Sequence, residues 1–470
     1  MTRVSLSRWF RQWRLLILGL ATFWACADSP SPSGPTPSAI ALARAGSGNG
    51  PTVKSTSPDS ATIDTTLNVR VLGSGFDQGS RANWAFKGVV SEKIVTNSTL
   101  FVSSTELVAN ITIAQNANIG SHDVIVTTSS GKGGIGTELF VVTMQMTKLP
   151  TIGGPGAEAH AVNDAGDVVG SSTDATKRSF AVRWRNDGGL WTVRKLGEDA
   201  IPYRSSVAVA INEEGTAVGT EGTNAVVWRI DGSKKIIGFQ WSSATAINNF
   251  DVIAGWSAPP ATPTATPVVW TPSGSDWTVH ALERLPGVTQ VTCRVDEALD
   301  ISDDGVVVGF VYDDACVQIP VMWRPTADGS GWSPAERLSP VGTLATGMAQ
   351  AIVGSIIVGI GYPCPSLSGC KRKAFRWIRD AASGEISTLD ARANGLNRAG
   401  DIVGSYIVKS GRMTGFVWSP VTSSFVFLPS LNGTSDSWAW DVNDASPRQA
   451  VGAVRINSTG WYIGALWTIP

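Results

Sequence analysis

Charged residues are scarce in this chain of 470. Asp, Glu, Lys and Arg make up 16% of it, where soluble domains average about 25%. That scarcity excludes a disordered acidic or basic tail protein, which is charge-rich and poor in aromatics. It also excludes a long-helix protein, built largely from Glu, Lys, Ala and Leu. A formal net charge of −1 removes the electrostatic case for a nucleic-acid partner. Only 3 histidines, His122, His160 and His280, and 5 tyrosines are present, little material for a histidine-built metal site or triad. No G-x-S-x-G, P-loop or H-E-x-x-H motif occurs. Beyond the N-terminus no apolar run is long enough to span a membrane. These absences call for no catalytic residue, cofactor or metal.

What the chain has instead is 50 Gly and 19 Trp, with 43% hydrophobic residues. Such chains fold as many short strands joined by tight turns. The predicted class is all-β, and the length implies two or three domains.

Residues 1–25 read as an export signal. Arg3, Arg8, Arg11 and Arg14 form a basic start, and Leu15 to Ala25 an apolar stretch, shorter than the ~20 residues of a spanning helix. Cys26 follows Phe23-Trp24-Ala25, which resembles a bacterial lipobox, where a small residue precedes a cysteine that becomes lipid-modified. Phe23 and Trp24 depart from it, since Leu and a small residue are usual there. The resemblance implies a lipid anchor on Cys26; the alternative is plain cleavage near Ala25 or Ala27. The expected address is the bacterial outer membrane or cell surface as a lipoprotein, otherwise secretion, with membrane contact through the anchor only. Four of the 37 basic residues and none of the 38 acidic ones lie in 1–25, so their removal leaves a net charge near −5. Residues 26–50 are mostly Ser, Pro, Gly and Ala and read as a disordered tether. Four further cysteines, Cys293, Cys316, Cys364 and Cys370, suggest two disulfides in an exported chain. Three pairings are open, and sequence proximity favours Cys364 with Cys370 and Cys293 with Cys316. Zinc lacks both C-x-x-C spacing and nearby histidines.

Residues 51–143 alternate in the manner of strands, through Leu67, Val69 and Val71, then Leu107, Ala109, Ile111 and Ile113, then Val124 and Val126. Turn signals at Ser57-Pro58-Asp59-Ser60, Gly73-Ser74-Gly75 and Gly131-Lys132-Gly133-Gly134 separate these runs. That pattern suits an immunoglobulin-like β-sandwich. The stretch resembles the IPT/TIG family in Pro51-Thr52-Val53, Ser57-Pro58, the run Leu67 to Phe76 ending Gly-Ser-Gly-Phe, and Leu139-Phe140-Val141-Val142. The resemblance covers about a fifth of the chain and implies an Ig-like spacer or binding module of a bacterial surface protein.

Residues 144–470 are periodic. The first copy reads Ala161-Val162-Asn163, Gly166, Val168-Val169-Gly170 and Ala181-Val182-Arg183-Trp184. Later copies vary: Phe250 replaces the turn glycine in the third, the fourth has Asp300-Ile301-Ser302, and the seventh Asp441-Val442-Asn443. The fifth is shortened to Ala351-Ile352-Val353-Gly354. The second glycine recurs at Gly170, Gly219, Gly255, Gly309, Gly359, Gly404 and Gly452, a mean spacing of 47. The tryptophan recurs as Trp184, Trp228, Trp270, Trp323, Trp377, Trp418 and Trp467. Four strand-like pieces per copy, seven times over, predict a seven-bladed β-propeller, since solenoid repeats are generally shorter and need capping ends. The seventh copy stops at Pro470 before its fourth strand. Lys148-Leu149-Pro150 matches Phe427-Leu428-Pro429, so Met144 to Pro150 is expected to supply that strand and close the circle. The repeats resemble the bacterial extracellular HAF family, named for a His-Ala-Phe step before a tryptophan. The best copy is Lys373-Ala374-Phe375-Arg376-Trp377, and none keeps the histidine. That resemblance implies a surface or secreted location and carries no catalytic residue.

The Asn163-Asp164-Ala165-Gly166 type of segment lacks the alternating oxygens and distal Glu of a calcium loop and fits an Asn-capped turn. The regular tryptophans are expected to pack between blades. The irregular ones, above all Trp241, Trp256, Trp277 and Trp332, are candidate contacts for a ligand. Asp303-Asp304 and Asp313-Asp314 read as solvated turns. The function expected from this is a non-catalytic cell-envelope or secreted protein, binding a glycan or protein ligand at the cell surface. Alternatives are a polysaccharide lyase or hydrolase with a site in the propeller channel, and a purely structural envelope protein. Convergence of carboxylates, Tyr or His from several blades would favour the enzyme.

Overall fold

The computed structural model describes residues 50–469 except 198–203, 239, 259–264, 289–295, 339–345, 364–370, 382–383, 387–389, 409–410, 431–434 and 457–458. The expected export signal, most of the tether, Cys26, Cys293, Cys364 and Cys370 lie outside the described residues. Among those described there is no helix, and the class is all-β. Cys316 is disulfide-bonded.

The N-terminal part forms two sheets. One orders Thr52–Ser57, Thr65–Ser74, Glu106–Ile113 and Ile94–Ser103; the other Ser60–Thr62, Gly133–Thr143, Gly120–Thr127, Arg81–Phe86 and Val89–Val90. Successive side chains of a strand point to opposite faces, so Leu107, Ala109, Ile111 and Ile113 are all buried while their neighbours are not. They meet Trp84, Val124, Val126, Phe140 and Val142 of the second sheet in one core. Trp84 and Phe140 pack edge to face at 5.9 Å.

The repeats then build seven antiparallel four-stranded sheets. Their first strands are Ala157–Val162, Ser206–Ile211, Ser242–Ile247, Glu297–Ile301, Thr346–Val353, Ala391–Leu396 and Ser437–Val442. The seventh sheet takes its fourth strand from Gln145–Lys148, paired on Tyr462–Ile469 from Gln145↔Thr468 to Lys148↔Ala465. The match between Lys148-Leu149-Pro150 and Phe427-Leu428-Pro429 anticipated this pairing.

Each sheet is apolar on both faces and buries them against its two neighbours. Val169, Ala181, Ala208 and Val226 join the first sheet to the second; Val451, Leu466, Val168 and Trp184 join the seventh to the first. Five further clusters join the sheets between. All seven repeat tryptophans are buried. Trp184 donates its Nε1–H to the Pro150 carbonyl at 2.7 Å, Trp323 to that of Glu283 at 2.7 Å and Trp467 to that of Pro429 at 2.9 Å. Each acceptor lies just past the fourth strand of the preceding sheet, so the tryptophan fastens one sheet to the next, as the sequence implied.

Every first strand carries one extra residue. The register passes over His160 between the pairs Ala159↔Gly170 and Ala161↔Val169. It passes likewise over Val209, Thr245, Leu299, Gln350, Asn394 and Trp440. The recurring glycine sits beside this bulge. A Cβ on Gly170 would lie 2.0 Å from the Glu158 carbonyl oxygen, and one on Gly309 2.0 Å from that of Glu297. Close backbone approach, and not a turn, is what requires glycine there. We expect Gly309→Ala to cost about 3 kcal/mol in denaturant titration, because the backbone must move. Gly331→Ala, with nothing within 4 Å of the added carbon, should stay within about 0.5 kcal/mol of the parent. Equal midpoints for the two variants would refute this.

One sequence assignment is corrected. In the third repeat Asp251 takes the left-handed position (φ 57°) that Gly166 (φ 79°) and Gly215 (φ 78°) occupy in the first two, and Phe250 precedes it.

Candidate functional site

A bulge breaks the pleat's alternation and re-aims a side chain. Here the seven bulge residues, His160, Val209, Thr245, Leu299, Gln350, Asn394 and Trp440, all line one cavity of about 800 Å³. All seven first strands contribute to its wall.

The residue after the bulge is Ala161, Ala210, Ala246, Ala351 or Gly395 in five sheets, but Asp300 and Asp441 in the fourth and seventh. The Asp300 carboxylate accepts the N–H of Ile301 at 2.8 Å and, from the next sheet, that of Ile352 at 2.7 Å. Asp441 repeats the arrangement with Val442 at 2.8 Å and Val162 of the first sheet at 3.0 Å. Withdrawal from water disfavours the charged form and pushes Asp300 up to about 7 and Asp441 up to about 6. The backbone donors oppose that rise. The charge of Asp441 adds to it at Asp300, and those of Glu213 and Asp164 add to it at Asp441. Burial pushes His160 down to about 4, leaving a neutral imidazole 6.3 Å from the Trp440 ring. Between pH 6 and 7 the wall therefore holds one carboxyl that tends to keep its proton and one that tends to lose it. Such a pair can give and take a proton in one reaction.

The Asn turns border the cavity. The Asn163 amide accepts the Asp167 N–H within its own turn at 3.0 Å and donates to the Asn212 carbonyl of the next sheet at 3.1 Å. Asn212 donates to Asn248 O at 3.2 Å, Asn248 to Ser302 O at 3.0 Å, Asn397 to Asn443 O at 3.1 Å, and Asn443 to Asn163 O at 3.0 Å. An amide is needed because one end must accept and the other donate. Ser302 and Val353 interrupt this series. There Arg379 reaches Asp304 at 2.8 Å, and Arg398 of the sixth sheet reaches Asp303 of the fourth at 3.5 Å.

None of the four tryptophans singled out from the sequence lines the cavity. Trp241 is exposed, and Trp256 stands opposite Ser243 on the third sheet. Trp277 donates to Asp251 O at 3.4 Å under the Arg229 guanidinium, and Trp332 to Gly305 O at 2.8 Å beside His280. Asp303 and Asp304, read as solvated turn residues, belong to the cavity wall. Asp313 is a turn residue, accepting the N–H groups of Ala315 and Val317. Sequence reasoning missed Asp300 and Asp441 as a pair; the available signal was an acid standing twice at a position that is otherwise Ala or Gly.

No protein-family profile and no curated protein matches the chain. Among solved structures it aligns with a puromycin-hydrolysing peptidase of Mycobacterium tuberculosis at 11% identity and TM-score 0.40, over 68% of this chain and 53% of the peptidase. The chain thus spans about half of that protein's length. A Hadza microbial sialidase aligns at 12% identity and TM-score 0.36, over 89% of this chain and 94% of that one. A gluconolactonase of Xanthomonas campestris aligns at 13% identity and TM-score 0.33, over 67% and 99%. All three are enzymes by description, whereas the expectation from the sequence was a non-catalytic protein. The wall itself meets the condition set for the enzyme reading, with carboxylates and a histidine converging from several sheets.

Proposed function

We propose that the protein is a polysaccharide hydrolase whose acid–base pair, Asp300 and Asp441, acts in the central channel of a seven-bladed β-propeller. What carries this reading is two carboxylates on one cavity wall, pushed to about 7 and about 6. Asp300 gives its proton to the glycosidic oxygen as the C–O bond breaks. Asp441 takes a proton from the water whose oxygen bonds to the anomeric carbon. The propeller reading is supported by the apolar clusters that run from sheet to sheet and return from the seventh to the first, with Gln145–Lys148 as the closing strand. We further propose that residues 51–143 serve as an IPT/TIG-like spacer, and that a lipid on Cys26 holds the enzyme at the cell surface. The test is a reducing-end assay of the full-length protein against a panel of neutral, amino-sugar and acidic polysaccharides. New reducing ends from at least one are expected; binding without turnover across the panel overturns the reading.

A further inference from the structure

We propose that the bound chain is a glycan carrying free amino groups, and that Phe250 stacks one of its rings at the cavity's edge. This rests on the hydrolase reading for its site, though not for its chemistry.

The cavity wall holds seven acidic side chains and one guanidinium, Arg398, which lies against Asp303. Asp164, Glu213 and Asp444 make no ion pair among the described residues. They are oriented by backbone donors: Asp164 accepts the Asp444 N–H at 2.7 Å, Glu213 that of Asp164 at 2.9 Å, and Asp444 that of Arg398 at 3.0 Å. Such donors aim a carboxylate without cancelling its charge. The three acids feel one another: burial first, then the charges of Asp164 and Asp444, hold Glu213 above the usual range, against the Asp164 N–H and the Arg398 guanidinium, which pull it down. Carboxylates in a concave, low-dielectric wall focus a negative field. That field attracts ammonium groups and repels a polyuronate. No group of three or more His, Cys, Asp or Glu among the described residues is arranged to hold a metal ion.

Phe250 is the independent observation. It follows Asn249, which lines the cavity, yet it is 69% exposed. The equivalent turn position holds Ala165, Glu214, Asp304, Ala399 or Ala445 in other repeats. A bare aromatic face beside a polar cavity offers apolar area for the C–H face of a sugar ring.

The experiment measures binding by calorimetry to full-length Asp300→Ala protein, which separates binding from turnover. The ligands are glucosamine, N-acetylglucosamine and galacturonate hexamers. We expect the glucosamine hexamer to bind at least about tenfold tighter than its acetylated form at low salt, with the gap closing as salt screens the field. The galacturonate hexamer should not bind. Adding Phe250→Ala should weaken hexamer binding about tenfold and leave glucosamine disaccharide binding unchanged, with Phe250→Trp restoring it. Equal affinity for the free and acetylated hexamers, or no effect of Phe250→Ala, overturns the inference. Tight hexamer binding by a wild-type protein that never cleaves it sinks the hydrolase reading alone.

Discussion

Replacing Asp300 or Asp441 by Ala is expected to lower kcat by about 10²–10⁴-fold while leaving the protein folded. Four sheets already carry Ala and one Gly at this place with the same bulge beside it, so the substitution restores what other repeats use. The pH dependence gives the sharper check. Turnover needs Asp441 ionised and Asp300 protonated, so kcat/KM should rise through about 6 and fall through about 7. Stability should move in one direction only. Both acids titrate higher when folded than the about 3.9 of an unfolded Asp, so the folded state binds protons more tightly. The stability they contribute is complete below about 4 and is lost as pH rises through about 6 and about 7. Glu158 and Glu297, raised by burial, act in the same sense. The wild-type thermal midpoint should therefore fall between pH 5 and pH 8, and less so in the double Ala variant. A kcat/KM that stays flat from pH 5 to pH 8 would falsify the assignment.

Asn443→Asp is expected to cost about 3 kcal/mol or more. Asn443 is 4% exposed; its amide accepts the Gln449 N–H at 2.7 Å and donates to Asn163 O at 3.0 Å. An aspartate keeps the first bond and turns the second into an oxygen facing an oxygen, with a buried charge added. The seventh and first sheets meet here, so the loss falls where the two ends of the repeat array adjoin. The measurement is the denaturant midpoint at pH 7.5 and pH 4.5. Recovery at the lower pH is expected, since a protonated Asp can donate again. Asn186→Asp, on an exposed side chain whose amide oxygen accepts the Gly189 N–H, is the control and should change little; equal losses at the two positions would sink the argument.

Much of the fold could be read from the chain because its devices are local and repeated. A buried tryptophan, a glycine at a close approach and an amide in a turn leave the same letter seven or five times. The extra residue of each first strand could not be read, because His160, Val209, Leu299 and Trp440 share no chemistry; what they share is a place in the register. The proposed acid–base pair was hidden for a related reason. Asp300 and Asp441 come from the fourth and seventh sheets, and only packing around the array puts both on one wall. Of the candidate tryptophans, Trp241 is exposed, whereas Trp277 and Trp332 spend their indole N–H groups on backbone carbonyls.

The pairing of Gln145–Lys148 with Tyr462–Ile469 also sets an order of events. The partners are more than three hundred residues apart, so the earliest strand of the repeat array waits until the last has been synthesised. Until then the first and seventh sheets each leave an apolar face without its neighbour, and a strand edge is open to other chains. Such late, long-range closure slows folding. A chain lacking Tyr462–Ile469 would therefore lose more than one strand, because Gln145–Lys148 would have no partner and the seventh sheet would stay open.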